Sequence, residues 1–247
     1  MTQNPVKTIL ITGASSGIGR ATAEVFLASG WNVALLARRR ALLAEVASGH
    51  DNALALPGDV TQLADVEAAI AAIVAKWGRL DAVFNNAGIF TPQGTIDEID
   101  VADWHQSLSV NLTGMFNTAR VAFAQMRAQD PQGGRIINNG SLSAHSPREG
   151  SICYTTTKHG ITGLTKTLSL DGRPFGIAAG QIDIGNARTD LVDALNERRI
   201  KDGKPLMDMM NVADAAQSVL HMANMPPSAN VLFQTVLATN MPYVGRG

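Results

Sequence analysis

The chain lacks most marks of a secreted, membrane-spanning or nucleic-acid-binding protein. A single cysteine, Cys153, stands among its 247 residues, so no internal disulfide can form, which suits a reducing compartment. The longest apolar run, residues 68–75, falls well short of the ~20 residues needed to cross a bilayer. The opening Met-Thr-Gln-Asn-Pro-Val-Lys has no basic start, apolar stretch and small-residue cleavage site, so no signal peptide is expected. A formal net charge of -1 offers no basic field to nucleic acid. The five histidines and the cysteine show no metal-ligand spacing, so no metal site is expected. These absences predict a cytoplasmic protein without membrane or nucleic-acid partners.

What is present is a chain with 45% apolar and 17% charged residues, enough to bury a large core. Short apolar runs at 7–12, 32–37, 53–56, 80–85, 135–139, 176–184 and 231–237 read as strands. Helical stretches at 19–29, 40–48, 65–77, 103–128, 153–170 and 212–224 alternate with them, and residues 189–210 are less regular. This repetition predicts an α/β fold: a doubly wound, parallel, seven-stranded sheet with helices on both faces. With no repeat, low-complexity tract or linker, residues 1–247 read as one domain carrying every site.

Between the first strand and the first helix lies Thr12-Gly13-Ala14-Ser15-Ser16-Gly17-Ile18-Gly19. A pyrophosphate needs close backbone approach, free N–H groups and a helix N-terminus, and glycines clear the way for it. An ordinary strand-to-helix turn would also tolerate three glycines. The position inside a βαβ unit near the N-terminus favours the Rossmann-type dinucleotide site. The spacing Thr-Gly-x-x-x-Gly-x-Gly resembles the short-chain dehydrogenase/reductase family, as does Asn85-Asn86-Ala87-Gly88 closing the fourth strand. The resemblance runs from Lys7 to about Leu237. It implies that Gly13, Ser15, Ser16, Gly17, Ile18, Gly19, Asn86, Ala87 and Gly88 contact the cofactor, and that the protein is a homo-oligomer, tetrameric or dimeric.

The second strand ends in Ala37-Arg38-Arg39-Arg40, and no Asp or Glu occurs between Glu24 and Glu45. An NAD site places an acid there for the ribose hydroxyl, whereas a 2′-phosphate calls for arginine. NADP(H) is therefore the expected cofactor, and the family resemblance, in which a base at the position of Arg38 goes with NADP(H), makes Arg38 the first candidate for the phosphate and Arg39 the second. A solvated basic turn is the other reading. Asp59-Val60 resembles the family's adenine-contacting pair, although a helix-opening Asp explains it nearly as well.

One of only two tyrosines lies in Tyr154-Thr155-Thr156-Thr157-Lys158, and i, i+4 spacing sets Tyr154 and Lys158 on one helix face. A phenol with a pKa of ~10 is a weak acid or base at neutral pH. Lowering it to ~7 takes about 4 kcal/mol, which an ammonium ~4 Å away at an effective dielectric of ~20 supplies. Ser141 follows the fifth strand and Asn111 lies in the long helix. Asn111, Ser141, Tyr154 and Lys158 match the family tetrad in order and spacing.

The resemblance implies hydride transfer between nicotinamide and a small-molecule carbonyl or alcohol. Tyr154 is then the general acid/base, Ser141 orients the oxygen, Lys158 holds the ribose and lowers the Tyr154 pKa, and Asn111 anchors a water that feeds protons through Lys158. A non-catalytic NADP(H) sensor on the same fold is the competing reading, although a pure binder has no need of the tetrad. After the sixth strand the family's Pro-Gly appears as Ile184-Gly185, which puts the loop's rigidity in question, while Gly185 and Thr189 keep their expected nicotinamide contacts. Residue 140 is Gly where the family often has Ser. His145, Arg148 and Glu149 lie where relatives line the substrate pocket, but a surface position fits them better. Cys153 reads as a packed residue rather than a nucleophile. Met207, Met209 and Met210 fit a lid or helix packing equally.

Overall fold

The computed structural model describes residues 6–201 and 203–244. Seven strands form one parallel sheet in the order β3-β2-β1-β4-β5-β6-β7. They are β1 (Thr8–Thr12), β2 (Asn32–Ala37), β3 (Ala53–Pro57), β4 (Ala82–Asn85), β5 (Gly134–Asn139), β6 (Ile177–Ile184) and β7 (Phe233–Val236). The order reverses direction between β1 and β4, and such a switch point opens a crevice at the carboxyl ends of the strands.

Strand alternation divides the core in two. Ile9, Ile11, Val33 and Leu35 face one side, where they pack with Phe26 and Leu27 of α1 (Gly17–Ala28) and Val219 and Met222 of α8 (Val212–Asn224). Leu10, Ala34, Leu36 and Val83 face the other side. There they meet Val66, Ile70 and Ile73 of α3 (Leu63–Trp77) and Ala122 and Met126 of α5 (Gly114–Ala128). Strands buried on both faces need continuous apolar runs, which is why β1 and β4 stood out in the sequence. Gly78, at φ 82°, ends α3 in the left-handed conformation expected of a glycine stop.

Two stretches differ from the sequence reading. The single helix expected over 103–128 is three pieces: α4 (Val101–Leu108), a π-helical turn (Ser109–Thr113) and α5. The irregular stretch after β6 contains α7 (Asp190–Lys201). The Asp193 N–H donates to the Thr189 carbonyl at 2.9 Å in its first turn. Behind it, Asn196 Oδ1 accepts from Met207 N at 3.0 Å and Arg199 Nε donates to the Pro205 carbonyl at 2.8 Å, folding the following chain back onto α7. Met210 joins the core, whereas Met207 and Met209 stay half-buried. The remaining helices are α2 (Arg40–Ala47) and α6 (Ile152–Gly172).

Candidate active site

The crevice is built around Thr12 at the end of β1. Its hydroxyl accepts from the N–H groups of Asn86 and Ala87, at 2.8 and 2.9 Å, and its carbonyl accepts from Asn86 Nδ2 at 2.9 Å. Asn139 Nδ2 donates to Asn86 Oδ1 at 2.8 Å, so the ends of β1, β4 and β5 are laced together.

Within the glycine loop, Gly13 takes φ 66° and Gly17 takes φ 53°, both in the region that favours glycine. A Cβ on Gly13 would lie 3.0 Å from Ala87 Cα, and one on Gly19 would run into the Gly13 carbonyl. Ser16 precedes α1 with no side-chain cap, and the first turn holds no acid, so its N–H groups and dipole are open to an anion. Arg39 Nη2 donates to Ser16 Oγ at 2.6 Å and to Ser15 Oγ at 2.9 Å. Arg38 is exposed and makes no such bond, so the arginine brought to the loop is the second of the two candidates. A cradle cleared of Cβ atoms, an open helix end and a guanidinium beside them fit a dinucleotide phosphate.

Asp59 Oδ1 accepts from Thr61 N at 2.9 Å in the turn before α3, whose N-cap is Gln62, and Asp59 N donates to Asp65 Oδ2 at 2.8 Å. Val60 is buried in the core, and its carbonyl accepts from Asn117 Nδ2 at 3.0 Å. Ile18 is partly buried against the core. Gly88 lies beside Asn111, whose Oδ1 would be 3.3 Å from a Cβ there. A Cβ on Gly185 would crowd Leu237 at 2.9 Å, so packing accounts for this glycine. Despite the missing proline, the loop after β6 is tied down: Gly185 N donates to the Val236 carbonyl at 2.8 Å, and Met210 N and Arg188 N bond to the Asn186 and Met210 carbonyls at 2.9 Å. Thr189 opens α7 and sets its methyl group against Gly17.

Ser141, Tyr154 and Lys158 come together at the end of β5. Ser141 Oγ accepts from Ser143 N at 3.2 Å and lies near enough to the Tyr154 phenol to favour its charged form. Lys158 is buried, donates to the Asn139 carbonyl at 2.8 Å, and places Nζ 5.4 Å from the centre of the Tyr154 ring. Burial pushes the Tyr154 phenol above its ordinary range, against opposing pulls from Ser141 and Arg148. Burial likewise lowers Lys158 to about 8. The expected depression of Tyr154 by Lys158 is therefore overridden: desolvation disfavours the charge on both groups.

Asn111 sits in the π turn with both side-chain ends engaged by Ile89, accepting from its N–H at 2.7 Å and donating to its carbonyl at 2.9 Å. Its side chain thus fastens the turn to the segment after β4 rather than reaching Lys158. The next residue, Phe90, stacks on Tyr154 with ring centres 5.0 Å apart.

Sequence reasoning passed over Phe90 and, more importantly, Asp183. Asp183 Oδ1 accepts from Ser141 N at 2.8 Å and from Gln181 Nε2 at 2.7 Å, and Oδ2 lies 2.8 Å from His145 Nε2. The available signal was an acid near the end of an otherwise uncharged strand. Arg148 lies near enough to favour the Tyr154 phenolate. Cys153 is buried. Among the described residues, no group of three or more His, Cys, Asp or Glu is placed to hold a metal.

The short chain dehydrogenase family model matches residues 7–200. The trans-4-hydroxycyclohexanecarboxylate dehydrogenase of Sinomonas cyclohexanicum is 35% identical over 199 residues, covering 76% of this chain and 75% of that protein. A 3-oxoacyl-[acyl-carrier-protein] reductase of Synechocystis is 30% identical over 240 residues, 95% of this chain and 96% of its own. The crystal structure of the 3-ketoacyl-(acyl-carrier-protein) reductase from Brucella melitensis, complexed with NADH, superposes with a TM-score of 0.86 at 26% identity, covering 95% of this chain and 98% of that one. With the glycine cradle, the parallel sheet and these likenesses in agreement, the chain belongs to the short-chain dehydrogenase family of oxidoreductases.

Proposed function

We propose that this protein is an NADP(H)-dependent oxidoreductase that interconverts a carbonyl and a secondary alcohol, with cofactor and substrate sites in one domain. The observation carrying this reading is the meeting of Ser141, Tyr154 and Lys158 at the end of β5, across the crevice from the glycine loop.

Bound there, a nicotinamide dinucleotide would supply or accept the hydride. Gly13, Ser15, Ser16, Gly17, Ile18 and Gly19 would hold its pyrophosphate, and Arg39, with Arg38 nearby, its 2′-phosphate. Asp59 and Val60 would face the adenine, Asn86, Ala87 and Gly88 the ribose end, and Gly185 and Thr189 the carboxamide.

Because the Tyr154 phenol is protonated at neutral pH and burial pushes its pKa higher still, it holds a proton to give to an oxygen that gains charge. The Ser141 oxygen already accepts from Ser143 N, so its own hydrogen is left to donate to that same oxygen. Lys158 would hold the ribose hydroxyls and pass protons toward Tyr154. The Asn111 side chain holds the segment that leads to Phe90, and Asn111 would anchor a water that feeds protons through Lys158.

We also propose a cytoplasmic homo-oligomer, dimeric or tetrameric. No helix among the described residues is long and apolar enough to cross a membrane.

The test is a carbonyl panel followed by NADPH and NADH fluorescence, with Tyr154→Phe alongside. The variant should lose on the order of 10²–10⁴ in kcat while binding NADPH as before. Undiminished turnover by Tyr154→Phe would refute the reading.

A further inference from the structure

We infer that Asp183 is a positioning residue for this reaction, its two carboxylate oxygens locking Ser141 and His145 into one unit at the end of β5. The inference rests on the proposed role of Ser141 and Tyr154.

Asp183 is 1% exposed, and a carboxylate taken that far from water needs its lone pairs matched by donors. Three are supplied: Ser141 N at 2.8 Å, Gln181 Nε2 at 2.7 Å and His145 Nε2 at 2.8 Å. An ionised carboxylate only accepts, so His145 carries a proton on Nε2 and keeps Nδ1 for other partners on its half-exposed side chain. The bond to the Ser141 N–H fixes the main chain from which the Ser141 hydroxyl projects.

The space for this carboxylate is made by Gly140. A Cβ there would collide with Asp183 Oδ1 and lie 2.6 Å from Gln181 Nε2. Gly140 has no positive φ, so its backbone does not demand glycine, whereas the volume does. The glycine that departs from the family's frequent Ser is thus the counterpart of the acid on the neighbouring strand.

Asp183 also acts at a distance. The charged or titrating groups around it are His145 on the turn after β5, Arg148 on the loop before α6, and Tyr154 and Lys158 on α6. Its negative charge favours the protonated form of both Tyr154 and Lys158. That bias suits proton donation, and so reduction.

The experiment compares wild type, Asp183→Asn and His145→Gln in carbonyl reduction as a function of pH, with thermal melting to confirm folding. Asp183→Asn should lower kcat about tenfold or more with the KM for NADPH changed by less than about twofold. Its alkaline limb should move to lower pH, because the phenol loses its proton sooner once the neighbouring charge is gone. A merely structural role would not move that limb. Should Asp183→Asn fail to fold, His145→Gln carries the test, with a smaller fall in kcat at constant KM.

An independent arm needs no turnover. Gly140→Ser should depress the melting temperature in wild type and far less in an Asp183→Ala background. Equal damage in both backgrounds overturns the steric pairing. A folded Asp183→Asn with unchanged kcat and pH limb overturns the positioning role while leaving the proposed activity standing. Wild type that reduces nothing with either nucleotide defeats the proposed activity itself, and the positioning role with it.

Discussion

Lys158 Nζ reaches past the Tyr154 ring, 5.4 Å from its centre, to donate a hydrogen bond to the Asn139 carbonyl. The ammonium is therefore held by the strand end that leads to Ser141, at the cost of burying a charge.

That cost predicts a pH-dependent stability. Lys158 titrates at about 8 in the fold against 10.5 for the free side chain, so between those values the unfolded chain binds the extra proton. The penalty on the folded state is full below about 8 and disappears as pH rises toward 10.5. At 1.36 kcal/mol per unit it amounts to roughly 3 kcal/mol, reduced by the hydrogen bond to Asn139. Lys158→Met should therefore melt a few degrees higher than wild type at neutral pH while losing activity. The gain should vanish in alkaline buffer. A variant less stable than wild type at every pH would show that the ammonium is not penalised.

The two arginines make separable predictions. Arg39 is held against Ser15 and Ser16, beside the open end of α1, and a charge-assisted hydrogen bond to phosphate contributes about 1.5–3 kcal/mol. Arg39→Ala should weaken NADPH binding by roughly 10- to 100-fold and NADH binding far less. Arg38→Ala should have the smaller effect. Titration of both nucleotides by fluorescence ranks them, and equal losses for NADPH and NADH would remove the 2′-phosphate role.

Gly19 makes a third prediction. A methyl group there meets the Gly13 carbonyl, which cannot yield without shifting the loop. Gly19→Ala should lower stability by about 1–3 kcal/mol and weaken both nucleotides together. Melting and binding curves indistinguishable from wild type would mean that the loop relaxes freely.

How much of this was legible in the sequence depended on how local its cause was. The strands showed as apolar runs because each is read from its own residues, and the Gly78 stop likewise. α7 was hidden because its sequence is mostly polar, with Asp193, Asn196, Glu197 and Arg199 interrupting any apolar stripe. Its anchoring comes from bonds to residues 205 and 207. The π turn at Asn111 was invisible for a related reason, since its partner, Ile89, is 22 residues away. The tetrad's order could be matched, but the capture of the Asn111 side chain by Ile89 could not. The family resemblance ranked Arg38 above Arg39, whereas the packing of β2's end that brings Arg39 to Ser15 and Ser16 could not be read from the chain. Asp183 is the extreme case, because its meaning lies in a strand 42 residues from Ser141.

The methyl group of Thr189, which would lie 3.4 Å from a Cβ on Gly17, joins two regions of the fold. The glycine loop would hold the proposed nucleotide, while α7 begins the stretch that follows β6. With one threonine serving as a wall of the first and the opening residue of the second, whatever settles in the loop also sets the starting point of the helix. Replacing the 189–210 segment would therefore disturb the glycine loop unless Thr189 stays with it.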